Sequence, residues 1–180
     1  MKLKTLFIMA VLLLTAAGCD TDFSSTPTTI PARQMTSLEK ELINSTNSFG
    51  FDLFQTVAAQ ASPDSNLFIS PLSVSFALGM AWNGAEGNTE TQMRNLLGYG
   101  QMTEEEINST YKSLISFLTT LDPQVRMDIA NSAWPDLDFN ILESFLERLS
   151  RYFSAEVNTL DLSRADAVSI INSWVEENTN

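Results

Sequence analysis

The 180-residue sequence predicts an α+β fold that is mostly helical and whose sheet is incomplete. Three observations carry this. Apolar residues recur at helical spacing through a series of segments bounded by capping or breaking residues. Only three short stretches read as strands, and none is followed by a hairpin turn and a second strand. A composition of 44% hydrophobic and 9% aromatic residues is too apolar for a disordered chain and is enough for one domain.

The elements follow in order. Lys2 and Lys4 precede the apolar run from Leu6 to Leu14, which is too short to cross a bilayer as a helix and reads as the core of a signal peptide over residues 1–18. Small residues then lead to Cys19, the only cysteine, in the order Thr15-Ala16-Ala17-Gly18-Cys19. That spacing resembles a bacterial lipobox, in which cleavage leaves a lipidated cysteine as the first residue. The alternative is an ordinary signal peptide cut near Ala17 with a spare thiol, and a lone thiol makes no internal disulfide. Cleavage before Cys19 would leave 162 residues with 8 basic and 22 acidic side chains. Anionic headgroups repel such a chain, so acyl chains on Cys19 would hold it to a lipid bilayer. Asp20 stands where enteric bacteria carry an inner-membrane retention signal. Residues 19–37 are rich in Ser, Thr and Pro and read as a flexible tether, with the folded part from residue 38 onward.

Phe49, Leu53 and Val57 mark a helix from about Asn47 to Ala61, stopped by Pro63. Leu67-Phe68-Ile69 reads as a buried strand feeding a helix over Pro71–Trp82, with Ser70 as its cap and Pro71 in its first turn. That helix is apolar on all sides and belongs inside the protein. Asn88 or Thr89 can cap the next helix, which ends at Gly98. Thr103 and Glu106 form a capping box for an amphipathic helix closed by Pro123. Val125, Met127 and Ile129 alternate with charged residues, the signature of a strand reaching Trp134. Asn140 with Glu143 starts another helix, Ala155 to Leu162 reads as a strand, and Ser163 with Asp166 opens a last helix. An unpaired strand in a core would leave its backbone polar groups without partners, and the sequence offers no sheet partners, so the chain reads as stopping before its fold is complete.

Composition also excludes functions. With no histidine there is no Ser-His-Asp or Cys-His catalysis and no HExxH zinc site. A net charge of -12 without a basic run argues against nucleic acid. No phosphate-cradling loop or metal-ligand cluster is present in the sequence, so no cofactor or metal is expected and the chain does not read as an enzyme. Glu104 to Glu106 and Glu176-Glu177 read as solvated helix faces rather than paired catalytic carboxylates. Trp174 reads as a core anchor.

Five motifs in fixed order strongly resemble the amino-terminal half of a serpin, a serine protease inhibitor. They are Asn66-Leu67-Phe68-Ile69-Ser70-Pro71-Leu72-Ser73-Val74, Gly84-Ala85-Glu86-Gly87-Asn88-Thr89 with Gln92-Met93, Ile129-Ala130-Asn131-Ser132-Ala133-Trp134, Phe153-Ser154-Ala155-Glu156-Val157, and Ile171-Asn172-Ser173-Trp174-Val175 through Thr179. The resemblance covers about residues 47–180 and implies helices packed on part of a large central sheet whose remaining strands belong to the carboxy-terminal half. It implies a target serine or cysteine endopeptidase that cleaves a reactive-centre loop and is trapped as the loop inserts into that sheet. It puts Ser70 and Ser73 in the shutter beneath the sheet, with Asn131 as a sheet-side hydrogen bonder. On capping chemistry alone Ser70 is an N-cap, Ser73 a small packing residue and Asn131 a strand-end asparagine. No stretch of this chain matches the reactive centre, so the expectation is a truncated chain that is not inhibitory alone. The competing readings are an envelope-anchored binding or scaffold module derived from a serpin, and an unrelated helical lipoprotein that carries a ligand.

Overall fold

A computed structural model describes residues 33–179 apart from Pro63; the predicted signal peptide, Cys19 and most of the tether lie outside the described residues. Thr36 opens the first helix, α1 (Ser37–Gln60), with a reciprocal capping box to Glu39. The helix therefore begins well before the Asn47 start that apolar spacing suggests. Its first turns carry Glu39, Lys40 and Glu41 between Leu38 and Leu42, and this polar content masks the period.

Ser70 caps α2 (Pro71–Trp82) through its side chain, as the sequence predicts. The helix α3 (Gly87–Leu97) starts at Glu86 with no side-chain cap, so neither Asn88 nor Thr89 takes that part. Gly98 ends it at φ +67°, a left-handed conformation that glycine adopts without a Cβ clash. Thr103 and Glu106 cap α4 (Glu104–Thr120) as predicted. The next helix, α5 (Glu143–Phe153), has Leu142 at its N-cap and no side-chain bond, and Ser154 closes it in the left-handed region at φ 52°. The last helix, α6, spans Ala167–Thr179.

Strand content is much shorter than the alternating patterns suggest. β1 (Ser132–Ala133) and β2 (Glu156–Val157) pair in parallel, Ser132 opposite Glu156 and Ala133 opposite Val157, and an isolated bridge joins Asp136 to Leu160. Leu67–Ile69 is not a strand, and Phe68 is 97% exposed. Arg126–Ala130 makes no backbone-to-backbone hydrogen bond with any described residue. A period-2 pattern creates a strand only where a neighbour satisfies its N–H and C=O groups, and among the described residues these two runs have no such neighbour.

The core sits among α1, α2, α4 and α5. Tyr111 is its hub: its ring meets Phe76 at 5.8 Å and Tyr99 at 6.2 Å, edge to face, and Phe153 at 5.1 Å. Trp82 stands edge-on to Tyr99 at 5.1 Å. Gly79 lets α2 approach this cluster; a Cβ there would lie 3.1 Å from the Tyr111 ring. At the end of α2, Asn83 and Asn108 exchange side-chain amide bonds, and Arg148 of α5 donates to the Asn83 carbonyl at 2.9 Å. Helices α2, α4 and α5 are thereby tied at one point.

Candidate functional site

The two strands and the start of α2 carry the residues singled out by sequence. Asn131 precedes β1 and holds it to α5 and β2 at once. Its Nδ2 donates to the Phe153 carbonyl at 2.8 Å, at the end of α5 where carbonyls lack helical partners. Its own carbonyl accepts from the Glu156 N–H at 2.9 Å. The ladder continues as Asn158 and Leu160 N–H donate to Ala133 and Pro135 carbonyls, both at 3.0 Å.

α6 meets this pair through Trp174. Trp174 donates from Nε1 to Glu156 at 2.7 Å, and its ring stands edge-on to Trp134 at 6.2 Å. Hydrogen bonds from Trp174 and then Asn158 favour the ionised carboxylate and hold Glu156 below the usual carboxylate range. The predicted core anchor is thus a half-buried rim contact outside the main apolar cluster. A polar hollow of about 520 Å³ runs along the unpaired stretch before β1, lined by Arg126, Asp128, Asn131, Glu156 and Trp174 among others.

Ser70 and Ser73 are together but elsewhere. Their hydroxyls lie 2.9 Å apart, and the Ser73 N–H donates to Ser70 Oγ at 3.4 Å. Both are exposed, and no described hydrogen bond joins either to Asn131. The buried serine of α2 is Ser75, 1% exposed, whose hydroxyl lies 3.0 Å from that of Tyr111. Tyr111 in turn lies 3.0 Å from the Tyr99 hydroxyl. Burial, reinforced by Tyr111, raises the Tyr99 phenol, and burial likewise raises Tyr111, so both are neutral hydroxyls throughout the physiological range. Sequence reading missed this chain; the signal was a serine and a tyrosine on otherwise apolar helix faces, Ser75 and Tyr111, with Tyr99 in the turn between two glycines.

Among the described residues no group of three His, Cys, Asp or Glu side chains can hold a metal ion, and no helix is long and apolar enough to cross a membrane. What the arrangement can do chemically is offer backbone. Arg126–Ala130 leads into the parallel pair with backbone N–H and C=O groups that no other described backbone group meets, and unpaired backbone next to a sheet can accept a further strand.

Comparison with known proteins places the chain in a family. The family model described as "Serpin (serine protease inhibitor)" matches residues 44–180. Human neuroserpin is 40% identical over 118 residues, covering 65% of this chain and 29% of neuroserpin. The leukocyte elastase inhibitor of Bos taurus is 34% identical over 142 residues, covering 78% of this chain and 37% of that protein. Among solved structures, cleaved Serpin 42Da superposes with a TM-score of 0.70 at 26% identity, over 80% of this chain and 37% of the other. An Arabidopsis serpin in its native stressed conformation superposes with a TM-score of 0.68 at 27% identity, over 82% and 38%. The matched part amounts to about a third of the length of these relatives.

Proposed function

The chain belongs to the serpin family, and from that membership we propose that it supplies the helical frame and first sheet strands of a serine protease inhibitor. We further propose that these 180 residues inhibit no protease by themselves. The observation that carries this is the run Arg126–Ala130, which leads into the parallel pair β1–β2, has no backbone partner among the described residues, and lies inside the segment that matches the family. A sheet built this way has backbone to offer to further strands, and inhibition by loop insertion requires such a strand to enter.

In this reading Ser70, Ser73 and Asn131 form the region where the sheet parts. The Ser70–Ser73 hydroxyl pair offers small polar groups that a strand can pass closely, and the bond from Asn131 to Phe153 fixes the strand beside the opening. Cys19 is the acylated anchor to a bilayer, and the protein is exported to the cell envelope. The partner is a serine protease outside the cytoplasm.

The purified chain is incubated with trypsin-like, chymotrypsin-like and elastase-like serine proteases and analysed on denaturing gels. No covalent complex and undiminished protease activity are expected. A denaturant-resistant band at the summed mass would overturn the reading.

A further inference from the structure

We propose that residues 33–36 form a strap, latched by Arg33, that makes one wall of an apolar groove and whose release widens that groove and exposes more of its apolar lining. The groove, of about 710 Å³, runs between α1, the start of α2 and the end of α4. Its lining includes Met35, Phe51, Phe54, Leu72, Phe117 and Leu118. Phe51 is 70% exposed, so the floor is apolar surface open to water. Among the described residues, Met35 is the one lining residue contributed by the segment before α1.

The latch is specific. Arg33 sets both terminal nitrogens on the Glu39 carboxylate, at 2.8 and 2.5 Å, the bidentate fork suited to guanidinium. Arg33 Nη2 also donates to Ser113 Oγ at 3.0 Å, and Ser113 donates to Glu39 at 2.6 Å. The guanidinium lies 5.1 Å from the centre of the Phe117 ring, itself a lining residue of the groove. Glu39 is only 4% exposed, whereas Arg33 is 43% exposed. A carboxylate that deep needs its counter-charge, and the counter-charge rides on a short irregular segment. The strap is therefore held from below by Glu39, and it carries Met35 into the groove wall as it folds back toward α4.

The test uses the 180-residue chain with an apolar fluorescent dye, anilinonaphthalene sulfonate, and helicity from far-UV circular dichroism. Arg33→Ala is expected to raise dye fluorescence several-fold at unchanged helicity. Arg33→Lys, a single point charge without the fork, should fall between. Arg164→Ala, which removes a surface ion pair on the loop before α6, should leave the dye signal unchanged. If Arg33→Ala costs helicity, Met35→Ala decides, since it removes the wall and leaves the latch, and it is expected to raise the signal similarly. Dye binding that is unchanged in both Arg33→Ala and Met35→Ala, or that rises equally in Arg164→Ala, would overturn the strap.

Discussion

Asn83 and Asn108 exchange their side-chain amides: Nδ2 of Asn108 donates to Oδ1 of Asn83 at 2.8 Å, and the reverse bond is 2.9 Å. Both residues are buried, so each amide depends on the other rather than on water. Asn108→Ala is expected to cost about 1–3 kcal/mol, because it leaves Oδ1 of Asn83 without a donor in the interior, while Asn83 Nδ2 keeps its bond to the Gly79 carbonyl at 2.9 Å. The Asn83→Ala, Asn108→Ala double variant should cost clearly less than the sum of the singles in a urea-denaturation cycle. Strict additivity would show that the two amides do not support each other.

The hydroxyl chain of Ser75, Tyr111 and Tyr99 makes a second prediction. Tyr111→Phe keeps the ring packing but strands two buried hydroxyls, for an expected loss of about 1–3 kcal/mol. The same chain sets an alkaline limit. Tyr99 and Tyr111 titrate higher folded than unfolded, so their contribution is complete below the ordinary tyrosine value of 10.0 and is lost as pH rises above it. Phenolate absorbance from these two tyrosines should appear together with loss of circular dichroism. Ionisation at pH about 10 with the fold intact would contradict their burial.

Glu39 governs the acid side. Hydrogen bonds from Arg33 outweigh the opposing effect of burial and, with Ser113 and Thr36, hold its carboxyl far below the usual range. Its folded value is depressed, so it stabilises the fold above the ordinary carboxylate value of 4.5 and that contribution is lost as pH falls below it. Glu39→Gln should cost about 1–3 kcal/mol at neutral pH by the loss of charge-assisted bonds. The variant should also show a flatter decline of thermal midpoint in acid than the parent chain. Parallel pH profiles would exclude Glu39 as the source.

Close packing at Gly79 gives a steric prediction. A Cβ there would lie 3.1 Å from Tyr111 Cε2 and 3.2 Å from the Tyr99 hydroxyl, and both rings are held by neighbours on other faces. Gly79→Ala should therefore destabilise by about 1–3 kcal/mol, although alanine is the better helix former. A rise in thermal midpoint would mean that the rings shift freely.

How much of this was legible in sequence depends on distance along the chain. The Ser70 cap, Pro71 and the Thr103–Glu106 box are settled within one turn, and the structure has them where the residues suggest. The Thr36–Glu39 box was equally local, but it precedes a weakly periodic stretch, so the start of α1 was read too late. Strand extent was overread, because pairing is decided by a neighbour rather than by alternation: Ser132 meets Glu156 across an intervening helix, and Val125 meets no strand. The same limit applied at the site. The Ser70–Ser73 contact spans three residues and follows from the cap, whereas the bond from Asn131 to Phe153 spans 22 and has no local signal.

The Arg33–Glu39–Ser113 cluster also sets an order of events during synthesis. Arg33 and Glu39 are six residues apart and leave the ribosome almost together, but Ser113 follows Glu39 by 74 residues. At roughly 5–20 residues per second, several seconds pass before the hydroxyl arrives. Through that interval the nascent first helix carries its acid with only the arginine and its own cap for company, and burial of Glu39 waits on translation of α4.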